Sequence, residues 1–177
     1  PIGSYAMTAT LEQIAARLAV LEDKEAIRAL KARCLRACDL KQPDVVRDCF
    51  APGAIRIAYQ NFPEFTDRDA FVDIFQAMGC QPGVYDIHHA TNWEIDLTGA
   101  EPGADSATGK WSLNFRTILT VPRQIVRLAV EYEDVYRRQD GRWWIVDTVS
   151  RVTSMLTEQV GEDGSVTVIA LAEPPAA

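Results

Sequence analysis

Histidine is nearly absent from this sequence: there are two in 177 residues, adjacent at His88 and His89. Cysteine is scarce as well, with four residues at 34, 38, 49 and 80. No Cys-x-x-Cys occurs, and no further Cys or His falls at zinc-finger spacing, which argues against a structural zinc site. Cys34 and Cys38 lie four apart on a helical pattern and are expected as small core residues. Free thiols fit a reducing cytoplasm, the expected compartment. There is no glycine-rich phosphate loop, nucleotide fingerprint or metal-ligand cluster, so any chemistry is expected to need no cofactor. No apolar run approaches the roughly 20 residues of a membrane span, and the start of the chain lacks the basic-then-apolar order of a secretory signal. Basic residues are outnumbered 18 to 25, leaving a net charge of −7 and a pI near 4.8. Nucleic-acid and anionic-membrane surfaces need basic patches, so neither partner is expected.

What is present suits one soluble domain. A 47% apolar, 24% charged composition is ordinary for a globular protein, and the length allows one real core. We place the domain at 10–172, with 1–9 expected as a tag or disordered arm and 173–177 as a tail. Thr10 with Gln13 makes a capping-box start. Leu11, Ile14, Leu18 and Leu21 then recur at helical spacing. Asp23 is expected to restart or bend the pattern into a second helix, about 24–40, burying Ile27, Leu30, Cys34 and Cys38. Pro43 opens a short helix with Val45, Val46, Cys49 and Phe50. Ile55, Ile57 and Tyr59 alternate as a first strand. Thr66 is expected to cap a helix over 67–78 with Phe71, Ile74, Phe75 and Met78 inward.

From Tyr85 the period changes to 2, predicting strands near 85–97, 107–121, 124–138 and 142–155 and a weaker one at 166–171. They are joined by a link at 99–105, a Pro122-Arg123 turn and an Asp140-Gly141 hairpin. Helices followed by a long meander give an α+β fold. A strongly twisted sheet curls around the N-terminal helices into a cone with an internal pocket, a place for a small molecule.

The segment Tyr85–Leu97 holds both histidines. Trp93, Ile95 and Leu97 alternate with Asn92, Glu94 and Asp96, so one histidine faces into the fold and the other out. With an ordinary pKa of about 6.5, an inward imidazole exchanges protons near neutral pH. Phe62, Phe65, Phe71, Phe75 and Trp111 are candidates to line a pocket for a flat substrate. Tyr132 and Asp134 share a strand face; Asp134 reads either as a second cavity carboxylate or as an ion pair with Arg137 and Arg138. Trp143 and Trp144 face opposite ways, one toward the core and one toward an oligomer interface.

Taken together the pattern resembles the SnoaL-like branch of the nuclear-transport-factor-2-like superfamily. The carrying residues are Leu21-Glu22-Asp23-Lys24-Glu25-Ala26-Ile27, Cys38-Asp39-Leu40, Phe50-Ala51-Pro52-Gly53-Ala54, His88 with Asn92, Tyr132 with Asp134, and Asp140-Gly141-Arg142-Trp143. The resemblance covers about residues 20–152, and it includes scytalone dehydratase, bile-acid dehydratase and polyketide cyclase relatives. It implies His88 as general base or acid, Asp39 as its orienting carboxylate and Tyr59 as a donor to substrate oxygen. It puts Asn114 near a polar cavity position and Arg151 near a basic one. Cys34 departs from it, standing where a tyrosine is common, and a thiol of pKa about 8.5 replaces a phenol's hydrogen bond poorly. Cys34, Phe75, Trp111 and Tyr132 complete the substrate-contacting candidates. The implied function is a cofactor-independent lyase or isomerase acting on a small hydrophobic aromatic, steroid-like or polyketide-like molecule and assembling with itself as a dimer or trimer. The alternative is a non-catalytic ligand-binding or assembly protein, such as a partner resembling a ring-hydroxylating dioxygenase β subunit.

Overall fold

The computed structural model describes residues 9–60, 62–97 and 105–172. All but residue 9 of the expected arm at 1–9, the tail at 173–177 and most of the link at 99–105 lie outside them. The chain starts as expected: the Thr10 hydroxyl accepts from the Gln13 backbone at 3.2 Å, and the Gln13 side chain accepts from the Thr10 backbone at 3.0 Å. The helix that follows differs from the expectation. α1 runs unbroken from Leu11 to Asp39. Asp23 is no break but a buried anchor, accepting from Trp143 Nε1 at 3.1 Å and pairing with Arg138. Ile27, Leu30, Cys34 and Leu35 are buried behind it, whereas Leu11, Ile14, Leu18 and Leu21 remain exposed.

α2 is a single turn-and-a-half, Pro43–Arg47, and Cys49 and Phe50 enter the core just after it. β1 (Arg56–Tyr59) leads to α3 (Arg68–Met78). Asp67, not Thr66, caps α3, its carboxylate taking the Asp69 N–H at 2.6 Å. Val72 is the fully buried residue of this helix, and Met78 turns outward rather than in.

Five longer segments follow: β2 (Val84–Leu97), β3 (Ser106–Leu119), β4 (Gln124–Gln139), β5 (Arg142–Val160) and β6 (Val166–Ala172). They form one mixed sheet of order β1-β5-β4-β3-β2, with β6 also on β5. β1 runs parallel to β5 and the remaining pairs are antiparallel. Asp140 and Gly141 both take positive φ (52° and 73°), the twist a two-residue hairpin demands. The sheet curls without closing, and α1 packs on its concave face against β2.

A bulge decides which side chains face α1. Register slips between Thr91 and Glu94, where Asn92 has φ 48°. Simple alternation from buried Ile95 would carry Trp93, Thr91 and His89 inward. The extra residue reverses that parity. His88 pairs across from Phe115 on the helix side, His89 sits opposite exposed Asn114, and Trp93 is 44% exposed.

On the same concave face Gly109 lets two large rings meet. A Cβ there would lie 2.9 Å from Tyr136 Cε2 and 3.0 Å from Trp111 Nε1. Both rings are buried and rigid, so Gly109→Ala should cost about 1–3 kcal/mol, as overpacking does. A thermal melt should show a clear fall in Tm; an unchanged Tm would contradict this packing.

The four cysteines are free thiols, with Cys34 and Cys49 buried beside one another and Cys38 and Cys80 half-buried. A hydrogen bond with Cys38, with burial and against the opposing bond to Cys49, pushes the Cys34 thiol far above its usual range, and a hydrogen bond with Cys34, with burial, does the same to Cys49. Native labelling at neutral pH is therefore expected to begin at Cys80 or Cys38. Cys34 and Cys49 should react only after denaturation, as mass spectrometry of the labelled peptides would show.

Candidate active site

α1 ends against β2. Asp39, its last residue, places Oδ1 2.6 Å from His88 Nδ1, and its Oδ2 accepts the His88 backbone N–H at 3.2 Å. A carboxylate only accepts, so the contact assigns a proton to Nδ1, and in the neutral ring Nε2 is then the nitrogen that holds the lone pair. Nε2 has no hydrogen-bond partner among the described residues. Side chains 16% and 21% exposed are sheltered but reachable. The Phe115 ring, 4.7 Å between centroids, limits how the imidazole can tilt. One step along β2, Lys41 pairs with Asp86, so alternate residues of the strand pin the end of α1.

Beside this pair lies a cleft of about 660 Å³ between α1 and β2. Asp39 and His88, the apolar Leu35 and Ala90, the buried Trp111 and Lys31, and Arg28 and Arg36 on α1 are among its lining residues. Lys31 belongs to a second cluster. Its ammonium lies 2.7 Å from Asp134 Oδ2, and the two side chains are 3% and 0% exposed. Asp134 also accepts from Tyr136 OH at 2.6 Å and from Thr148 Oγ1 at 2.7 Å. Trp111 Nε1 donates in turn to Tyr136 OH at 3.1 Å. The Lys31 ammonium also sits 4.0 Å over the Tyr132 ring. Burial, with the Asp134 charge next, raises the Tyr136 phenol well above its ordinary range, so it stays a donor.

Of the residues singled out from the sequence, the cleft brings together His88, Asp39 and Trp111, and exposed His89 lies at its rim. Tyr59 lies outside it, edge-on to Phe71 and Tyr132 and beside Thr148, and burial raises its hydroxyl well above the ordinary phenol range. Cys34 is in the core against Cys49, Phe75 on α3 is partly buried against the core, and Tyr132 lies beneath Lys31. Asn114 is exposed across from His89; Phe115, one residue on, takes the place facing His88. Arg151 is exposed on β5 across from Glu131. Asp134 pairs with Lys31 rather than with Arg137 or Arg138. Lys31 went unnoticed in the sequence, although it stands on the buried stripe of Ile27, Cys34 and Cys38, where a cation is out of phase.

A curled sheet packed on one long helix, with a histidine–carboxylate pair opening on a cleft, defines a class of small α+β domains. The chain belongs to the SnoaL-like domain family, whose sequence profile matches residues 19–149. No curated protein matches it significantly. Among solved structures it is similar to a hexachlorocyclohexane dehydrochlorinase of Novosphingobium barchaimii, at 20% identity and TM-score 0.68 over 90% of this chain and 100% of that one. It is similar to a scytalone-dehydratase-like protein of Novosphingobium aromaticivorans, at 19% identity and TM-score 0.69 over 88% and 95% of the two chains. It also matches a protein from N. aromaticivorans named for aromatic ring hydroxylation, at 15% identity and TM-score 0.65 over 84% and 94%. At these identities the likeness is one of fold.

Proposed function

We propose that the protein is a cofactor-independent lyase or isomerase in which His88 moves a proton at a carbon of a small hydrophobic substrate. The observation that carries this reading is the His88 ring, held by Asp39 through Nδ1 and the backbone, with Nε2 unpartnered among the described residues at the cleft. In an elimination, Nε2 takes a proton from carbon, and the C–H electron pair becomes the new double bond. The leaving group, a hydroxide or halide, departs with its own pair. Asp39 keeps the tautomer and stabilises the imidazolium. The imidazolium then returns its proton to the departing group or to water. Isomerisation uses the same first step and returns the proton to a different carbon. Dehydratase and dehydrochlorinase names among the structural neighbours favour elimination.

The test is deuterium wash-in and product formation in D₂O, followed by NMR over a panel of aryl, steroid-like and polyketide-like hydroxyketones and halogenated cyclohexanes. Exchange or elimination by the wild type, absent from His88→Ala, supports the reading. Equal background from both removes it. Asp39→Asn is expected to lower the rate less than His88→Ala, since the base remains and only its orientation and charge support are weakened.

A second reading is a non-catalytic assembly partner in ring hydroxylation, the activity that one structural neighbour is named for. Such a partner would co-purify with a larger iron-containing chain, whereas a lyase acts alone. Self-association as a dimer or trimer is part of either reading, because Leu18, Leu21, Val166 and Val168 leave apolar surface uncovered. Sedimentation at micromolar concentration showing only a 19.7 kDa species would count against it.

A further inference from the structure

The donors that the family resemblance offers for substrate oxygen, Tyr59 and Asn114, do not line the cleft; Lys31 does. An ammonium carries three N–H donors. Among the described residues Lys31 has one accepting partner, Asp134, and one ring face, Tyr132. Asp134 is itself supplied by Tyr136 and Thr148, so its oxygens are hydrogen-bonded with or without the lysine. A buried ion pair adds little stability over an apolar pair of the same volume. What this pair adds is a desolvated, fixed cation with a donor to spare on a residue that lines the cleft. The other cations along the cleft differ from it. Arg28 is paired with Glu25 at 2.7 Å and stacked 4.9 Å over Trp93, and Arg36 is exposed to solvent, where salt screens it.

We propose that Lys31 anchors a carboxylate of the substrate, so that the cleft takes a small aromatic or polycyclic acid. This rests on the reading of the cleft as the site served by His88. Lys31 and Asp39 are eight residues apart on α1, about 12 Å along its axis at 1.5 Å per residue. The anchored carboxylate and the carbon that gives up its proton are therefore at opposite ends of the molecule. Leu35, Ala90 and Trp111 bracket an apolar body between them. Lys31 in this role sets specificity and position, while the proton transfer stays with His88.

The probe pair is 2-naphthoate and its uncharged isostere 2-naphthamide, titrated calorimetrically into the full chain at low salt. Wild type should prefer the acid by roughly tenfold or more, the worth of one charge-assisted hydrogen bond. Lys31→Met combined with Asp134→Asn, which removes both buried charges together, should erase the preference while leaving naphthamide affinity little changed. Circular dichroism checks that this variant is folded, and Lys31→Gln with Asp134→Asn carries the same comparison if it is not. Arg36→Gln should keep the preference. Equal affinity for both probes in wild type, no binding of the acid, a preference that survives loss of Lys31, or one that vanishes in Arg36→Gln would each overturn the assignment. His88→Ala should keep the preference intact. A preference in a protein that shows no proton exchange would thus leave Lys31 as the anchor and remove only the reaction.

Discussion

Alanine at position 88 is expected to lower kcat by roughly 10²–10⁴, the usual worth of a positioned general base, with little change in KM. The effect should be specific to that one ring. His89→Ala is the control, because His89, exposed at the rim across from Asn114, has no bond to the Asp39 carboxylate that holds His88. The split between kcat and KM matters here. Asp39 binds His88 and not the substrate, and Nε2 has no other partner among the described residues, so removing the imidazole takes away a proton acceptor and leaves the apolar walls standing. A His88→Ala enzyme of normal turnover, or a His89→Ala enzyme equally impaired, would sink this assignment. The first result would also bring the assembly-partner reading forward.

Much of the framework was legible from local chemistry. The Thr10–Gln13 box and the Asp140-Gly141 turn are decided by residues a few positions apart, and both form as expected. The change to period 2 after Tyr85 marks four long strands to within a few residues at most ends, although β5 runs further, to Val160. What local pattern misreads are the places where a charge is buried. Asp23 looks like a helix break because an acid in an apolar stripe usually means solvent. Trp143 and Arg138, more than a hundred residues later, make it an anchor instead. Lys31 and Asp134 are each out of phase with their neighbours, and their meaning lies in the pairing of α1 with β4, which no local window contains.

The orientation of the histidines is a sharper case. Period-2 alternation from Ile95 selects His89, and the resemblance to a family selects His88. The bulge at Thr91–Glu94 reconciles the two, yet nothing in the segment beyond Asn92, a residue tolerant of positive φ, advertises it. A register that is out by one residue exchanges the two faces of a strand. The same sensitivity puts Phe115 rather than Asn114 across from His88.

The buried pair also sets the largest stability effect expected in the molecule. Asp134→Leu should destabilise the fold by about 3–5 kcal/mol, because it leaves the Lys31 ammonium buried without its counter-charge. It also takes the acceptor from Tyr136 and Thr148, each of which donates to that carboxylate. Lys31→Met should cost less, about 1–3 kcal/mol. The carboxylate it strands keeps two hydroxyl donors, whereas the stranded lysine keeps only the Tyr132 ring face. The asymmetry follows from the geometry: Asp134 is the hub with three donors, and Lys31 is a spoke with one acceptor. Replacing both charges, as Lys31→Met with Asp134→Asn, should recover most of the loss, since the asparagine oxygen still accepts and no net charge stays buried. Urea unfolding of the three variants measures the ordering directly. If Lys31→Met proves the more damaging single change, or if the double variant is as unstable as Asp134→Leu, the hub is not Asp134. The cation at the cleft would then owe its place to packing of the lysine stem on Tyr132 rather than to its charge.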